Sequence, residues 1–373
     1  MSIHRKTIGI LGGGQLARML VLKAHQMGLH TIVLAEKATD PAVKVCTRWV
    51  KGKLDSTKDV RLMARLTDVL TFESDLIPAA FLKKSLHDYR SVKIFPSLSC
   101  LAHFQDRLLQ KEWLHDYGLP TVEHIKIHSR DEIDLAFEAF QHRVVFKKRT
   151  GSYDGNQTFT VRNMPELKAF RKTIKGDEIN YIIEPVVNFK SEKALIFARS
   201  LTGEIVHLPM IQSVQNNNQC DYVVGPASHP AEKKLRDGIA HFLNDINYVG
   251  VITFELFDLG SELVINEIVP RVHNTGHFSQ DALSVDQFEL HLRCILGMPL
   301  PEVKSRFPAF VMVNLLGKSA RVPLIKKFPT GSLHWYDKPT SRARRKMGHV
   351  NYVGRSKNEL LKTALSERRA ILI

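Results

Sequence analysis

The chain has 373 residues, 44% hydrophobic and 24% charged, a balance that excludes a disordered chain and indicates a globular protein of two or three domains. Its cysteines are far apart and form no Cys-x-x-Cys pair, so they indicate neither a disulfide framework nor a zinc knuckle and favour a cytoplasmic location. The formal charge of +15 suggests a nucleic-acid partner, but the basic residues are spread along the chain and only residues 342–346 are dense, so a pocket for small anionic substrates explains the charge better.

Strand and helix patterns alternate over the first hundred residues. Thr7 to Leu11 predicts a buried strand, an amphipathic segment through Met27 predicts a helix, and residues 31–34 predict a second strand. A further helix and strand follow, so the segment extends a βαβ unit. The pattern predicts a doubly wound parallel sheet, that is, a Rossmann-like domain over residues 1–100.

Mixed α+β character follows the first domain. Residues 101–117 predict one long helix that ends at Gly118 and Pro120. Alternating strands and helices continue to about residue 300, including a hairpin that turns at residues 259–260. From residue 301 to residue 373 the periods are shorter and turns are frequent, which predicts a small β-rich C-terminal domain. No segment predicts a membrane-spanning helix or a secretory signal.

Two glycine-containing segments are candidate anion sites. Gly12-Gly-Gly14 lies between a strand and a helix, where backbone N–H groups can bind an anion. Ala17 replaces the last glycine of a dinucleotide motif and Glu36 could supply the ribose-binding acid, so nicotinamide binding stays an alternative. The second segment, residues 149–158, follows two lysines and contains two glycines, which suits either a phosphate-covering loop or a surface turn.

Two glutamates in apolar strands predict a cation site. Glu255 and Glu267 lie on the two strands of the predicted hairpin, which would place their carboxylates side by side. Like charges at close range are stabilised by a divalent ion, although two solvent-facing glutamates would be an ordinary alternative. The segment Pro270-Arg-Val-His-Asn-Thr-Gly-His277 adds a cation, imidazoles and an amide just beyond. This cluster predicts a functional site.

Several segments occur in the order and spacing of one enzyme family. They are Gly12-Gly-Gly-Gln-Leu-Ala-Arg-Met-Leu20, Asp106-Arg107, Lys147 with Tyr153-Asp-Gly155, Glu255, Asn266-Glu267, Pro270-Arg-Val-His-Asn274, Gln287-Phe-Glu-Leu-His-Leu-Arg293 and His334-Trp-Tyr-Asp-Lys338. From about residue 7 to about residue 350, the chain resembles the ATPase subunits of phosphoribosylaminoimidazole carboxylase, the carboxyaminoimidazole ribonucleotide synthetases. The resemblance implies an ATP-grasp fold with the domains 1–100, 101–300 and 301–373, a lid subdomain at about 121–183, and a cytoplasmic homodimer.

The resemblance also implies a reaction and residue roles. ATP and bicarbonate would form carboxyphosphate, whose carboxyl group the exocyclic amine of aminoimidazole ribonucleotide captures, with magnesium and without biotin. The implied ATP-binding residues are Arg107, Lys147, Ser152, Tyr153, Asp154, Gly155, Glu184, Glu192, Gln215, Asn266 and Glu267. The implied ribonucleotide-binding residues are Gln15, Leu16, Glu73, Tyr153, Arg271, His273, Asn274, Lys338, Arg345 and Lys346. Glu255 and Glu267 would hold magnesium, and Asp154, Lys346 and Arg271 would be catalytic, with Asp154 accepting the proton of the attacking amine.

The sequence departs from the family pattern in two loops. Ser152, Asn156, Gln157 and Thr158 stand where the family has further glycines and a basic residue, which Lys148 or Arg149 could replace. Residues 212–221 also differ. Three hypotheses remain: a divergent but active synthetase, a ligase for another phosphoribosyl-like amine, and a non-catalytic paralogue that binds nucleotide. A nucleic-acid-binding module is a fourth and predicts salt-dependent binding.

Overall fold

A parallel sheet and its helices occupy the N-terminal part of the chain. The computed structural model describes residues 6–89, 91–151, 157–174, 180–319, 324–325 and 327–373. The first elements are β1 (Thr7–Leu11), α1 (Gln15–Gln26), β2 (His30–Ala35), β3 (Arg48–Lys51), α2 (Thr57–Leu66), β4 (Val69–Phe72), α3 (Ala79–Ser85), β5 (Lys93–Phe95), α4 (Leu98–Gln105) and α5 (Arg107–Asp116). The strands pair in parallel in the order β3-β2-β1-β4-β5, as the alternating pattern predicts. β1 and β4 are apolar and buried because helices cover a parallel sheet.

The predicted helix over residues 101–117 is wrong, because the chain breaks it at Asp106. The backbone of Asp106 is extended, with φ −107° and ψ 114°, and its carboxylate accepts a hydrogen bond from the N–H of Leu108. Aspartate is a favoured N-cap, so α5 begins anew one residue later. The break places Arg107 in the first turn of α5, and Lys111 one turn further along the same face.

A small antiparallel sheet follows, called here the lid sheet. Its elements are β6 (Ile125–Lys126), α6 (Arg130–Ala139), β7 (Val144–Lys148), β8 (Thr158–Val161), α7 (Met164–Thr173) and β9 (Tyr181–Pro185). The strands lie in the order β6-β9-β7-β8, with Val144 and Phe146 in a separate core beneath them. β7 carries Lys147 and β9 carries Glu184, and Val145 and Glu184 are partners in the register. The lid sheet therefore brings these two predicted site residues together.

The largest sheet is antiparallel and continues into the C-terminal part of the chain. Its elements and their helices are β10 (Ser191–Arg199), β11 (Ile205–His207), β12 (Ile211–Asn216), β13 (Gln219–Gly225), α8 (Glu232–Asp245), β14 (Gly250–Asp258), β15 (Leu263–Val269), α9 (Ser279–Ala282), α10 (Gln287–Leu296), β16 (Ala309–Leu316), β17 (Leu324–Ile325), β18 (Ser332–Trp335), β19 (Lys346–Gly354), α11 (Lys357–Arg368) and β20 (Ile371–Leu372). The order is β15-β14-β10-β12-β13-β16-β19-β18, with β11 on β10, while β17 pairs with β20. Because β16 pairs with β13, the C-terminal strands extend the central sheet.

Two local features explain where sequence patterns succeed and fail. The run Asn216-Asn-Asn218 forms a tight hairpin turn between β12 and β13, with φ of 51° at Asn217 and 59° at Asn218. Asparagine tolerates this left-handed backbone better than most residues do. The C-terminal helix α11 was not predicted, although the side chain of Ser356 caps it by accepting a hydrogen bond from the backbone N–H of Glu359, and a serine three residues before a glutamate is a recognisable start signal.

None of the helices in the described ranges is long and apolar enough to cross a membrane.

Candidate active site

Two adjoining cavities lie between the N-terminal sheet, the lid sheet and the central sheet. The larger has a volume of about 680 Å³ and the smaller, called here the basic cavity, about 660 Å³; Gln15, Asn218 and Lys346 line both. The predicted site residues that line the larger cavity are Gln15, Leu16, Glu73, Arg107, Lys147, Glu184, Glu192, Gln215, Glu255, Asn266, Glu267, Arg271, His273, Asn274 and Lys346. Lys338 and Arg345 line the basic cavity. The fold therefore brings together residues that are spread over most of the chain.

The predicted carboxylate pair lies in the larger cavity. Glu255 on β14 and Glu267 on β15 are direct partners across the antiparallel ladder. Burial and the nearby charge of Glu267 raise the pKa of Glu255 well above that of an ordinary glutamate. Arg107 Nη1 lies 3.0 Å from Glu267 Oε2, and His273 Nε2 lies 3.6 Å from Glu255 Oε1. The paired carboxylates therefore offer a site that a divalent cation would stabilise.

A divalent cation at this pair needs further ligands. Within the described ranges, no group of three or more histidine, cysteine or carboxylate side chains could hold a metal. Asn266, next to Glu267, contributes an amide oxygen to the same cavity, but that oxygen accepts a hydrogen bond of 2.7 Å from Lys147 Nζ. The pair fits a cation that is shared with a bound phosphate, because phosphate oxygens and water complete the preferred coordination of magnesium.

The carboxylate of Glu184 is bound by lysines. Lys147 Nζ lies 2.6 Å from Glu184 Oε2, and Lys111 Nζ lies 3.0 Å from Glu184 Oε1, all three side chains being buried. Burial alone would raise the pKa of Glu184, but the two lysine charges outweigh it and lower that pKa. The carboxylate of Glu184 is therefore paired with Lys147 and Lys111, and its predicted contact with adenosine stays a prediction.

The far end of the larger cavity is apolar on one side and acidic on the other. Phe189 and Phe257 stack with ring centroids 4.5 Å apart and planes 5° from parallel, and Val187 lines the same end. Glu192 projects from β10; one of its carboxylate oxygens is buried without a hydrogen-bond partner, and Gln215 bonds the group. Burial raises the pKa of Glu192 to about 7. An apolar slot beside an unsatisfied acceptor suits a base and its attached sugar hydroxyls.

The glycine turn before α1 holds a carboxylate of the protein itself. Glu73, at the end of β4, accepts hydrogen bonds from the N–H groups of Gly14 and Ala17, at 2.5 and 3.1 Å. A Cβ added at Gly14 would lie 2.6 Å from Glu73 Oε1, so glycine is required for this approach. Glu73 therefore occupies two of the N–H groups at this helix N-terminus, including that of Gly14, which a dinucleotide pyrophosphate would use.

The segment after β15 is held rigidly at the junction of the two cavities. Arg271 Nε lies 2.9 Å from Asp75 Oδ1, and although burial alone would raise the pKa of Asp75, the arginine lowers it. Gln287 accepts a hydrogen bond from the backbone N–H of His273 at 2.8 Å and donates to its carbonyl oxygen at 2.7 Å. Burial and the charge of Arg271 hold the pKa of His273 well below its usual value. The imidazole is therefore neutral at physiological pH.

Asn274 lines the larger cavity but its amide is already bonded. It donates to Asn314 Oδ1 at 2.9 Å and accepts a bond of 2.7 Å from Asn314 Nδ2. Asn314 also donates to the carbonyl oxygen of Cys220, which ties the segment to β13. Asn274 therefore helps to fix the segment that carries Arg271, and its predicted role in substrate binding stays a prediction.

The basic cavity is built by two loops that bond to each other. Arg344 donates from its guanidinium to the carbonyl oxygen of Asn217, and Gln219 Nε2 donates to the carbonyl oxygen of Arg344 at 3.1 Å. Lys338 Nζ donates to the carbonyl oxygen of Lys346 at 2.6 Å. Burial, together with the charge of Arg345, lowers the pKa of Lys338 to about 7. This concentration of cations matches an oxygen-rich anion such as a phosphate monoester.

The predicted glycine-containing loop lies mostly outside the described residues. Ser152, Tyr153, Asp154, Gly155 and Asn156 are among the residues that the structure does not describe, so their predicted roles stay predictions. The stem of the loop is described. Arg149 donates to both carboxylate oxygens of Asp106, with Nε 3.0 Å from Oδ1, and its carbonyl oxygen accepts from the N–H of Arg107.

The contact between Arg149 and Asp106 bears on the basic residue that the family has in this loop and this chain lacks. Because Arg149 forms a paired contact with Asp106, it does not extend freely toward an anion, and the suggestion that it replaces the missing basic residue is not supported. Its contact instead fixes the backbone that begins α5. Lys148 remains the basic neighbour of the loop that could serve.

Sequence reasoning missed several residues of the site. Asp75, Lys111 and Asn314 were not singled out, and Gln287 was only part of a motif. Lys111 had a usable signal, because it lies four residues after Arg107 and so on the same helix face. No local sequence signal indicated Asp75 or Asn314, since the residues that they contact are distant in the chain.

Comparison with known proteins identifies the fold. Family models match the chain in order: the ribonucleotide synthetase preATP-grasp domain over residues 5–105, the ATP-grasp domain over 112–288, and the phosphoribosylaminoimidazole carboxylase C-terminal domain over 310–363. The N5-carboxyaminoimidazole ribonucleotide synthase of Synechococcus elongatus is 34% identical over 352 residues, which are 92% of this chain and 88% of that protein. That of Staphylococcus aureus is 31% identical over 357 residues, 95% of this chain and 94% of that protein.

Solved structures agree with these relatives. N5-carboxyaminoimidazole synthetase from Staphylococcus aureus, complexed with ADP, has a TM-score of 0.90 at 30% identity and covers 98% of this chain and 97% of its own. The Aspergillus clavatus enzyme, in complex with ADP and 5-aminoimidazole ribonucleotide, has a TM-score of 0.86 at 26% identity and covers 98% of each chain. The predicted ATP-grasp fold and the predicted family resemblance are confirmed.

Proposed function

This chain belongs to the N5-carboxyaminoimidazole ribonucleotide synthase family, and we propose that it is an ATP-dependent carbon–nitrogen ligase of purine biosynthesis that carboxylates the exocyclic amine of 5-aminoimidazole ribonucleotide. The observation that carries the proposal is the pairing of the two cavities. An apolar and acidic slot leads past lysine, arginine and a carboxylate pair to Lys346, which opens onto the basic cavity. Two ligands, each with a phosphate, can meet where the cavities join.

ATP would occupy the larger cavity. Its base would fill the slot beside Phe189 and Phe257, and its ribose hydroxyls would donate to the unsatisfied oxygen of Glu192. Lys147 and Arg107 would contact the phosphate oxygens. Magnesium would be held by Glu255 and Glu267, and when bound it neutralises charge on the phosphate oxygens.

The proposed reaction has two steps. A bicarbonate oxygen attacks the γ-phosphorus of ATP and ADP leaves, which gives carboxyphosphate. The exocyclic amine then attacks the carboxyl carbon, the carbon–oxygen bond to phosphate breaks, and phosphate departs while the amine loses a proton. Cations aimed at the oxygens lower both barriers, because negative charge accumulates on them. Asp154 is proposed to accept the amine proton, and Arg271 and Lys346 to stabilise the departing phosphate.

The ribonucleotide would bind across the junction and the basic cavity. Lys338, Arg345 and Lys346 would hold its phosphate, because ammonium and guanidinium groups pair well with phosphate oxygens. The ring and its amine would lie beside Arg271 and the neutral His273, in the part of the larger cavity that Gln15, Leu16 and Glu73 line. These placements follow from charge and cavity shape.

Three further proposals follow from the family. The domains are proposed to span residues 1–100, 101–300 and 301–373, with the lid at about 121–183. The active form is proposed to be a homodimer in the cytoplasm. No biotin is required, because the amine takes the carboxyl group from carboxyphosphate without a carrier.

ADP release by purified protein with magnesium-ATP and bicarbonate tests the proposal. Stimulation by 5-aminoimidazole ribonucleotide, with formation of a carboxylated product, is the expected result. Stimulation only by another phosphoribosylated amine would show that the altered segments 152–158 and 212–221 have changed the substrate. Nucleotide binding without turnover would show a non-catalytic paralogue. Either of the last two results would contradict the proposed activity.

A further inference from the structure

Lys111 is a buried lysine that lines neither of the two cavities. It lies on α5, is 2% exposed, and does not line either cavity. Its ammonium lies 3.0 Å from Glu184 Oε1 and donates to Thr121 Oγ1 at 3.2 Å and to the carbonyl oxygen of Val122 at 3.3 Å. Burying an ammonium group is costly, so the fold has to gain something from this position. Burial lowers the pKa of Lys111 to about 8.

The gain lies in the charge balance around Glu184. One carboxylate lies between two ammonium groups, with Lys147 Nζ 2.6 Å from Oε2 and Lys111 Nζ 3.0 Å from Oε1. Two positive charges against one negative charge leave the group with a net charge of about +1. Of the two lysines, only Lys147 lines the larger cavity, together with Glu184, so the excess positive charge lies beside a ligand bound there. Without Lys111, Glu184 would neutralise Lys147 alone.

We propose that Lys111 is a positioning residue that keeps the charge of Lys147 available to the phosphates of a bound nucleotide by sharing Glu184. The inference rests on the proposed ATP site, in which Lys147 contacts the phosphates. Glu184 fixes the ammonium of Lys147 beside Asn266, and Lys111 supplies the compensating charge from outside the cavity. The arrangement holds a cation in place without cancelling it.

A purely structural role for Lys111 would give a different result. Its bonds to Thr121 and Val122 hold the chain between α5 and β6, where the lid sheet begins. Loss of those bonds would disturb the nucleoside end and the phosphate end together. Loss of the charge would affect only ligands that carry phosphates. The affinities for MgADP and for adenosine therefore separate the two roles.

Calorimetric binding of MgADP and of adenosine should be measured for wild type, Lys111→Met and Lys111→Met/Glu184→Gln. Lys111→Met is expected to weaken MgADP binding by about tenfold, toward the lower end of measured effects of close charges, and to leave adenosine binding unchanged. The double variant removes the carboxylate that would neutralise Lys147, so it is expected to recover most of the MgADP affinity. The matched control is Lys193→Met, which removes a buried lysine paired with Asp258 at 3.2 Å and should leave MgADP binding unchanged.

Several outcomes would overturn the inference. They are unchanged MgADP affinity in Lys111→Met, an equal loss for adenosine, or no recovery in the double variant. If Lys111→Met does not fold, Lys111→Gln tests the same point, because the amide can still donate a hydrogen bond to Thr121 or Val122 but carries no charge, and unchanged MgADP affinity in that variant would contradict the charge balance. A wild-type protein that binds no MgADP would contradict the proposed ATP site, and this inference with it.

Discussion

Glu192 is a carboxylate that destabilises the fold when no nucleotide is bound. One of its oxygens is buried without a hydrogen-bond partner, and burial raises its pKa from 4.5 to about 7. The folded protein therefore keeps a proton that the unfolded chain releases between pH 4.5 and 7. Stability contributed by this site falls as pH rises through that window. Glutamine at this position carries no charge, so the Glu192→Gln variant should lack this loss.

The size of the effect follows from the pKa. Each pKa unit corresponds to about 1.4 kcal/mol, so the rise from 4.5 to about 7 sets an upper bound of about 3 kcal/mol. The side chain faces a water-accessible cavity, which reduces the expected gain to about 1 to 2 kcal/mol. In the absence of nucleotide, Glu192→Gln should be more stable than wild type by this amount at pH 8 and equally stable near pH 4.5.

Urea unfolding at pH 4.5 and pH 8 measures the difference, with Glu302→Gln as control because that glutamate is 76% exposed. The same Glu192→Gln variant should bind MgADP more weakly, since an amide accepts hydrogen bonds from sugar hydroxyls less strongly than a carboxylate does. A variant that is no more stable than wild type at pH 8, or whose advantage is the same at both pH values, would refute the reasoning about Glu192.

Three more predictions concern the rest of the site. Glu267→Gln should abolish ADP formation and leave the circular dichroism spectrum unchanged, because it removes cation-binding charge and no core packing; the neighbouring, exposed Glu262→Gln should retain activity. Because the pKa of Lys338 is about 7, calorimetric affinity for the ribonucleotide should fall between pH 7 and 9 as the ammonium loses its proton, and Lys338→Met should remove that pH dependence. Asp75→Asn should lower kcat/KM for the ribonucleotide by about tenfold, because Arg271, proposed to stabilise the departing phosphate, loses a charged partner at 2.9 Å; an unchanged kcat/KM would contradict that role.

Regular elements of the N-terminal part were predictable because their signals are local. The strand Thr7–Leu11 has the predicted bounds, since a short apolar run beside polar residues indicates a buried parallel strand. The helix break at Asp106 was not predictable, because the helical periodicity of the sequence continues across it and only the capping hydrogen bond shows the interruption. The residues of β16 were expected to lie in a separate small domain. In the structure β16 pairs with β13, and this pairing was not predictable because the two strands are far apart in the chain.

The same distinction applies to the site. Glu255 and Glu267 could be placed on neighbouring strands from the sequence, because a short turn connects those strands, but a β-bulge between Glu255 and Leu256 shifts the register and makes the two glutamates direct partners. The contact between Arg271 and Asp75 joins residues 196 positions apart, and no local pattern indicates it. Most predicted residues line the cavities, but Glu184, Glu73 and Asn274 bond to the protein itself. Residue type and spacing alone do not distinguish a residue that binds ligand from one that supports it.

Transfer of oxygen from bicarbonate to phosphate tests the central claim most directly. Purified protein would be supplied with magnesium-ATP, 5-aminoimidazole ribonucleotide and ¹⁸O-labelled bicarbonate, and the released phosphate analysed by mass spectrometry. If a bicarbonate oxygen attacks ATP and the amine then displaces phosphate, each phosphate should carry one labelled oxygen and one carboxylated ribonucleotide should form with it. Phosphate without the label, or labelled phosphate with no carboxylated product, would contradict the proposed ligase.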